Sequence, residues 1–161
     1  FEKAAAMMET DYHDSGMLIT CYKATGDEAA LKRVAELTLA RAEKAVAQDP
    51  SNGSALGWGA TSHAVLGHRE SAKEWSHRAM LMDPDNWALG YNLACTLTNY
   101  LGDHDGALEL LGPLMDSVSP TQLKHCNADP DIDPLRDDPR FIAMTTAAER
   151  RLAASSQTQP D

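Results

Sequence analysis

The dipeptide Asp-Pro occurs at positions 49–50 and again at positions 83–84, a spacing of 34 residues. Proline cannot continue a helix, and it pushes the residue before it out of the α region, so each pair predicts the end of a helix. A fixed period of this length indicates a repeated helix–turn–helix unit. Because one such unit cannot bury its own apolar face, neighbouring units must pack together.

A glycine followed by a short polar turn divides each unit into two helices. Gly67 and Gly102 suit the left-handed conformation at a helix C-terminus, and Ala72 and Ala107 follow five positions later. Aromatic residues make up only 6% of the chain, and its many alanines favour helices that pack closely through small side chains. The sequence therefore predicts an all-α chain of stacked helix pairs.

These residues resemble the tetratricopeptide repeat (TPR) family, whose pattern has 34 positions. Within the unit 53–86, the residues that match the pattern are Leu56, Ala60, Ala72, Ala79 and Pro84, and those that depart from it are Gly59, His63 and Ser76. The resemblance implies a right-handed solenoid of antiparallel helix pairs with a C-terminal capping helix.

The repeat register divides the chain into six segments. The first, 1–11, is expected to be the second helix of a truncated preceding repeat, so that the sequence would be part of a longer protein. The second, 12–52, is a lengthened repeat with its second helix over 28–48. A regular repeat over 53–86 and a repeat with one insertion over 87–118 follow. A capping segment with a terminal helix, 119–154, and a flexible tail, 155–161, come last. In the capping segment, serine or aspartate before proline predicts helix starts at 119–120 and 138–139. These helices are expected to run to about His125 and Ala153.

Charge and cysteine usage narrow the classes of partner. The chain carries 14 Lys and Arg against 24 Asp and Glu, a formal net charge of −10, which opposes binding to nucleic acids and to anionic membranes. Cys21, Cys95 and Cys126 do not have the spacing of a zinc module, and they are expected to be buried thiols of a cytoplasmic protein. No apolar run approaches the roughly 20 residues that span a bilayer.

Residues 129–140 have the spacing of a calcium-binding loop, with aspartates at its first, third, fifth and ninth positions. Pro134 and Arg140 occupy the places of the required Gly and Glu, which favours helix caps and ion pairs over a calcium site. His63 and His68 are five residues apart and are expected on different helix faces, so no metal site is predicted. No catalytic motif and no cofactor fingerprint is recognised, so an enzyme is not expected.

In the TPR family, the first helix of each repeat lines a concave groove that binds a peptide. The implied groove residues here are His13, Thr20, Lys23, Ser54, Trp58, Thr61, Val65, Tyr91, Asn92, Cys95, Thr98 and Asn99. Only Asn92 matches the family's clamp for a C-terminal carboxylate, which disfavours recognition of that type. The glycines around Trp58 would make room for a neighbouring helix or a partner, and packing is the favoured role of Trp58.

The expected function is a non-catalytic domain that binds a protein or peptide segment, unless the chain's own terminal helix fills the groove. The acidic, proline-rich ending also resembles the helical-repeat regions of bacterial class III nucleotide cyclases and winged-helix regulators. That resemblance implies an alternative function, a regulatory or oligomerisation appendage that self-associates.

Overall fold

The computed structural model describes residue 3 and residues 11–157. Eight α-helices and one 3-10 helix lie within residues 11–157, and no described residue belongs to a β-strand. The predicted all-α class is therefore confirmed. The chain divides into two compact units, Phe1–Leu89 and Gly90–Asp161, which are described separately below.

The first unit contains four complete helices: α1 (Tyr12–Thr25), α2 (Glu28–Gln48), α3 (Gly53–Val65) and α4 (Arg69–Met82). A further helix, α5 (Trp87–Leu101), begins in this unit and continues in the next. Helix α1 packs on α2 and α3, α2 packs on α3, and α3 packs on α4. Connections of two to four residues join these helices, as in αα-hairpins.

The helix boundaries follow from the capping residues. The side chains of Asp27 and Asn52 accept hydrogen bonds from first-turn N–H groups of α2 and α3, both at 2.9 Å. Asp49 and Asp83, each before a proline, close α2 and α4 by donating their N–H groups back into the last turn. The predicted helix over 28–48 and the helix ends before both Asp-Pro pairs are thus found where expected.

Alanine forms much of the core of the first unit. A side chain of one carbon lets helix backbones approach closely, so burial is obtained without large residues. Six alanines from α2, α3 and α4 have no exposed surface: Ala35, Ala42, Ala55, Ala60, Ala72 and Ala79.

Two of the three departures from the 34-residue pattern, Gly59 and His63, lie against Trp75. A Cβ atom at Gly59 would overlap the Trp75 indole ring, and His63 makes an edge contact with the same ring at 5.2 Å between centroids. Ser76 is buried and donates its hydroxyl hydrogen bond to the Ala72 carbonyl at 2.8 Å. Trp75 therefore occupies the space that a larger side chain at position 59 would need.

The second unit contains the rest of α5, then α6 (His104–Ser117), α7 (Pro120–Ala128), a 3-10 helix (Pro130–Leu135) and α8 (Pro139–Gln157). Helix α8 packs on α6 and on α7. Ser119 and Gln122 form a reciprocal capping box at the start of α7, which confirms the helix start predicted there.

Three predicted boundaries in this unit are corrected. Helix α7 continues to Ala128, and the acidic run forms a 3-10 helix that buries Ile132 and Leu135 completely. Helix α8 reaches Gln157, because no Gly or Pro interrupts it after Pro139, so residues 155–157 are helical rather than part of a flexible tail. The helix expected over 1–11 lies outside the described residues except for residues 3 and 11, as does the tail after 157.

Among the described helices, none combines the length and the apolar character that a membrane span requires.

Candidate functional site

The first unit places seven of the predicted groove residues on two helices that touch each other, α1 and α3. Their spacing is close to multiples of 3.6 residues, which puts the members on each helix along one face. His13, Thr20 and Ser54 are exposed, and Lys23, Trp58, Thr61 and Val65 are partly buried. We call these seven residues the α1–α3 face.

Trp58 is the central packing residue of the α1–α3 face. Its ring lies directly against Gly16 of α1, where any Cβ atom would collide with it. The His13 ring meets the Trp58 ring edge-on, with centroids 5.8 Å apart. Trp58 therefore holds α1 against α3 while part of its surface stays accessible beside His13. The two roles considered for this residue, packing and recognition, are compatible in this geometry.

Most of the predicted groove residues in the second unit are buried. Tyr91, Cys95 and Thr98 on α5 are buried, with 2%, 8% and 4% of their surfaces exposed, and Asn99 is partly buried, whereas Asn92 is exposed. The Tyr91 hydroxyl donates to Oδ2 of Asp129 at 2.9 Å. Nδ2 of Asn99 donates to the Asp131 carbonyl at 2.9 Å.

The chain itself thus covers this part of α5. The covering residues belong to α7 and the acidic 3-10 segment, and the His125 ring of α7 lies 5.3 Å from the Tyr91 ring. A self-filled groove was the alternative considered from the sequence, although the terminal helix was expected to fill it. The accessible surface therefore does not extend over Tyr91, Cys95 and Thr98, which are all buried. Asp129 and Asp131 accept the hydrogen bonds of Tyr91 and Asn99.

The acidic segment uses its oxygen atoms in bonds within the protein. Besides Tyr91, Asp129 receives a hydrogen bond from the Asp131 N–H at 2.9 Å, and Asp133 pairs with Arg136 at 2.6 Å. Arg140 pairs with Asp105 and Asp138, at 2.8 and 2.7 Å. No group of three or more His, Cys, Asp or Glu side chains in the described part of the chain is placed to hold a metal ion. The aspartates therefore act as caps and ion-pair partners.

Burial controls the chemistry of the two cysteines near Tyr91. It raises the pKa of Cys95 to about 12, with a further contribution from the Asp129 and Asp131 charges. It also raises the pKa of Cys126 to about 11, and it raises the pKa of the Tyr91 phenol far above its usual range. Both thiols are therefore protonated at neutral pH, and a protonated thiol is a poor nucleophile.

The structure brings together two histidines that the spacing had separated. Gly67, with φ of 79°, reverses the chain after α3, and the His68 N–H bonds the His63 carbonyl at 2.9 Å. The two Nδ1 atoms then lie 3.2 Å apart. The expectation that the two rings lie apart was wrong, because the turn at Gly67 brings His68 back toward His63. The left-handed glycine was the sequence signal for this contact, since it implies a reversal of the chain at that point.

His63 and His68 differ in their environment. His63 is buried, with 8% of its surface exposed, whereas His68 is exposed. Burial lowers the pKa of His63, and the neighbouring His68 lowers it further, against the opposing effect of the Glu43 and Glu74 charges. The neutral form of His63 is favoured for these reasons.

No protein-family model matches this chain, and no curated protein has a significant sequence match to it. The fold itself defines the class as an all-α protein of short-linked helices.

Proposed function

We propose that this chain is a TPR-like interaction domain of right-handed, stacked helix pairs that binds a segment of a partner protein on the α1–α3 face. The observation that carries the proposal is the position of Trp58, fixed against Gly16 and beside His13 with part of its surface accessible. Aromatic residues held rigidly at an accessible surface are frequent anchors of protein–protein contacts.

The repeat part of this proposal is supported by local geometry that recurs with the sequence register. Asn52 and Asn86 are 34 positions apart, and each side-chain oxygen accepts a hydrogen bond from the N–H three residues later, at 2.9 and 3.0 Å. Asp49 and Asp83 likewise close their helices through the same backbone bond. Two sequence units thus begin and end in the same way.

The chemistry of the α1–α3 face favours a peptide segment over a small molecule. Thr20 and Ser54 offer exposed hydroxyl groups, and His13 offers an exposed imidazole ring, around the indole ring of Trp58. Such a surface forms separate hydrogen bonds along an extended chain or a helix, as peptide-binding grooves do. The proposed contacts are those of the first unit, because Tyr91, Cys95 and Thr98 of the second unit are buried and only Asn92 is exposed there.

A peptide selection tests the proposal. Peptides are selected from a random library against the full chain, and their affinities are measured for the double variant Thr20→Arg, Ser54→Arg. Both positions are exposed, so the fold should tolerate the change, while two long charged side chains obstruct the α1–α3 face. We expect affinity to fall by about tenfold or more, equivalent to about 1.4 kcal/mol.

Glu36→Arg is the matched control, because Glu36 is exposed on α2 and lies outside the α1–α3 face. The control should retain peptide affinity. If the peptides bind the double variant as well as the original chain, or lose affinity only in the control, then the α1–α3 face is not the binding site.

Self-association is a second candidate function, favoured by exposed apolar residues at the end of α4. Leu81 and Met82 are adjacent, with 60% and 46% of their surfaces exposed. Exposed apolar groups of this kind can form an interface between copies. Sedimentation of the chain and of Leu81→Glu distinguishes the two: a dimer that Leu81→Glu dissociates supports an oligomerisation appendage, and a monomer at all concentrations excludes it.

A further inference from the structure

The imidazole pair at the end of α3 has a spacing suited to chelation. The Nδ1 atoms of His63 and His68 are 3.2 Å apart, and the ring centroids are 5.5 Å apart. Two histidine nitrogens bound to one ion at 2.0–2.1 Å are separated by about 3.4 Å in tetrahedral geometry. Adjacent ligands of a square-planar ion would be about 2.9 Å apart. The observed distance lies between these two values.

From this geometry we infer that His63 and His68 form a two-nitrogen chelate for a divalent transition-metal ion of the zinc, copper or nickel type. Imidazole nitrogen is a preferred ligand of these ions. The proposal concerns a site on the α3–α4 connection and does not rest on partner binding at the α1–α3 face.

The local backbone explains why the pair is already assembled. Gly67 has a positive φ of 79°, and the hydrogen bonds that follow it fix the return of the chain toward α3. The ring of His63 is held from another side by Trp75 at 5.2 Å. One ligand is therefore fixed in the protein, and a short, defined turn positions the other.

The surroundings permit a cation to enter. His68 is exposed, so one of the two ligands is in contact with solvent, whereas His63 is buried. The charges of Glu43 and Glu74 act on His63, and the chain as a whole carries −10; both favour a cation. Arg78, which pairs with Glu74 at 3.8 Å and lies 5.8 Å from the Trp75 ring, opposes this attraction in part.

No third His, Cys, Asp or Glu completes a cluster at the pair, as far as the described residues extend. Water molecules would therefore occupy the remaining coordination positions of the ion. An open site of this kind exchanges its ion readily, unlike the closed four-ligand sites that stabilise small domains. We accordingly expect reversible binding with a stoichiometry of one ion per chain.

Zinc chloride is the probe, because Zn²⁺ has no redox chemistry that would oxidise thiols. Titration calorimetry is performed on the full chain carrying Cys21→Ser, since Cys21 is an exposed thiol that would compete for zinc. We expect one Zn²⁺ per chain. The further change His68→Asn should weaken binding by about tenfold or more, and because His68 is exposed, it should leave the thermal midpoint nearly unchanged.

His77→Asn is the matched control, since His77 is an exposed histidine of α4. Ring-nitrogen NMR provides a second measurement, in which zinc should shift the Nδ1 signals of both His63 and His68. A pair that only shares a proton would give no zinc binding up to millimolar concentration, which overturns the proposal. Zinc affinity that His68→Asn leaves unchanged, or that His77→Asn lowers equally, also overturns it.

Discussion

Tyr91 donates a hydrogen bond of 2.9 Å to Asp129, a residue 38 positions later in the chain. This contact joins α5 to the end of α7 within the second unit, and Asn99 adds a parallel bond to the Asp131 carbonyl. A surface of α5 that the repeat register had assigned to a partner is therefore occupied by the protein's own acidic segment.

Removing the Tyr91 hydroxyl should weaken the second unit. Tyr91→Phe removes a buried hydrogen bond, and we expect the free energy of unfolding in urea to fall by about 1–2 kcal/mol. Asp129→Ala removes the acceptor, and its effect on the free energy of unfolding should not add to that of Tyr91→Phe in a double-mutant cycle, because the two side chains share one bond. Asp137 is an exposed carboxylate of the same segment, and the effect of Asp137→Ala should add to that of Tyr91→Phe. Strict additivity for Asp129→Ala would show that the bond contributes nothing.

Gly59→Ala should destabilise the first unit although alanine is the better helix former. The added methyl group would overlap the Trp75 ring, and overpacking of this type costs about 1–3 kcal/mol, more than the roughly 1 kcal/mol that helix propensity returns. Gly53→Ala is the control in α3, because the nearest atoms to the added methyl group would lie at an ordinary 3.5 Å. We expect a lower thermal midpoint for Gly59→Ala and an equal or higher one for Gly53→Ala. Equal midpoints for both would contradict the packing described around Trp75.

Acid should destabilise the protein partly through His63. Its pKa in the folded protein is lowered from 6.5 by burial and by His68, with Glu43 and Glu74 opposing, so the unfolded chain binds the proton more tightly. The stability that the neutral ring contributes is complete above about pH 6.5 and is lost as the pH falls through the folded-state pKa. The free energy of unfolding in urea, measured between pH 7.5 and 5, should therefore fall less steeply with acid in His63→Gln than in the original chain. His77→Gln removes an exposed histidine. If it reduced the pH dependence of the free energy of unfolding by the same amount, His63 would not be the source of that dependence.

Thiol reactivity should separate one cysteine from the other two. Cys21 is exposed, whereas Cys95 and Cys126 are buried with pKa values raised to about 12 and 11. Ellman's reagent at neutral pH should modify one thiol rapidly and the remaining two only when urea unfolds the chain. Cys21→Ser should abolish the rapid phase. Rapid reaction of two or three thiols in the folded protein would mean that α7 does not stay closed over α5.

Local sequence signals determined most of the helix boundaries. The Asp-Pro pairs end α2 and α4, the glycines at 26, 67 and 102 all have positive φ, and Ser119 caps α7. These signals work because proline, left-handed glycine and capping side chains act on backbone within a few residues of themselves. Alanine at positions 72 and 79 likewise predicted burial, since only small side chains fit between closely packed helices.

The tertiary structure alone decided which predicted site residues stay accessible and which histidines meet. Nothing near Tyr91 in the sequence indicates that Asp129 will reach it, because the contact depends on the path of some forty intervening residues. On one continuous helix, His63 and His68 would lie on different faces. They are adjacent because Gly67 turns the chain. The sequence by itself thus determined the helices and their ends, which depend on short-range chemistry. Contacts between residues far apart in the sequence decided which side chains stay at the surface, because these contacts depend on how the helices pack against one another.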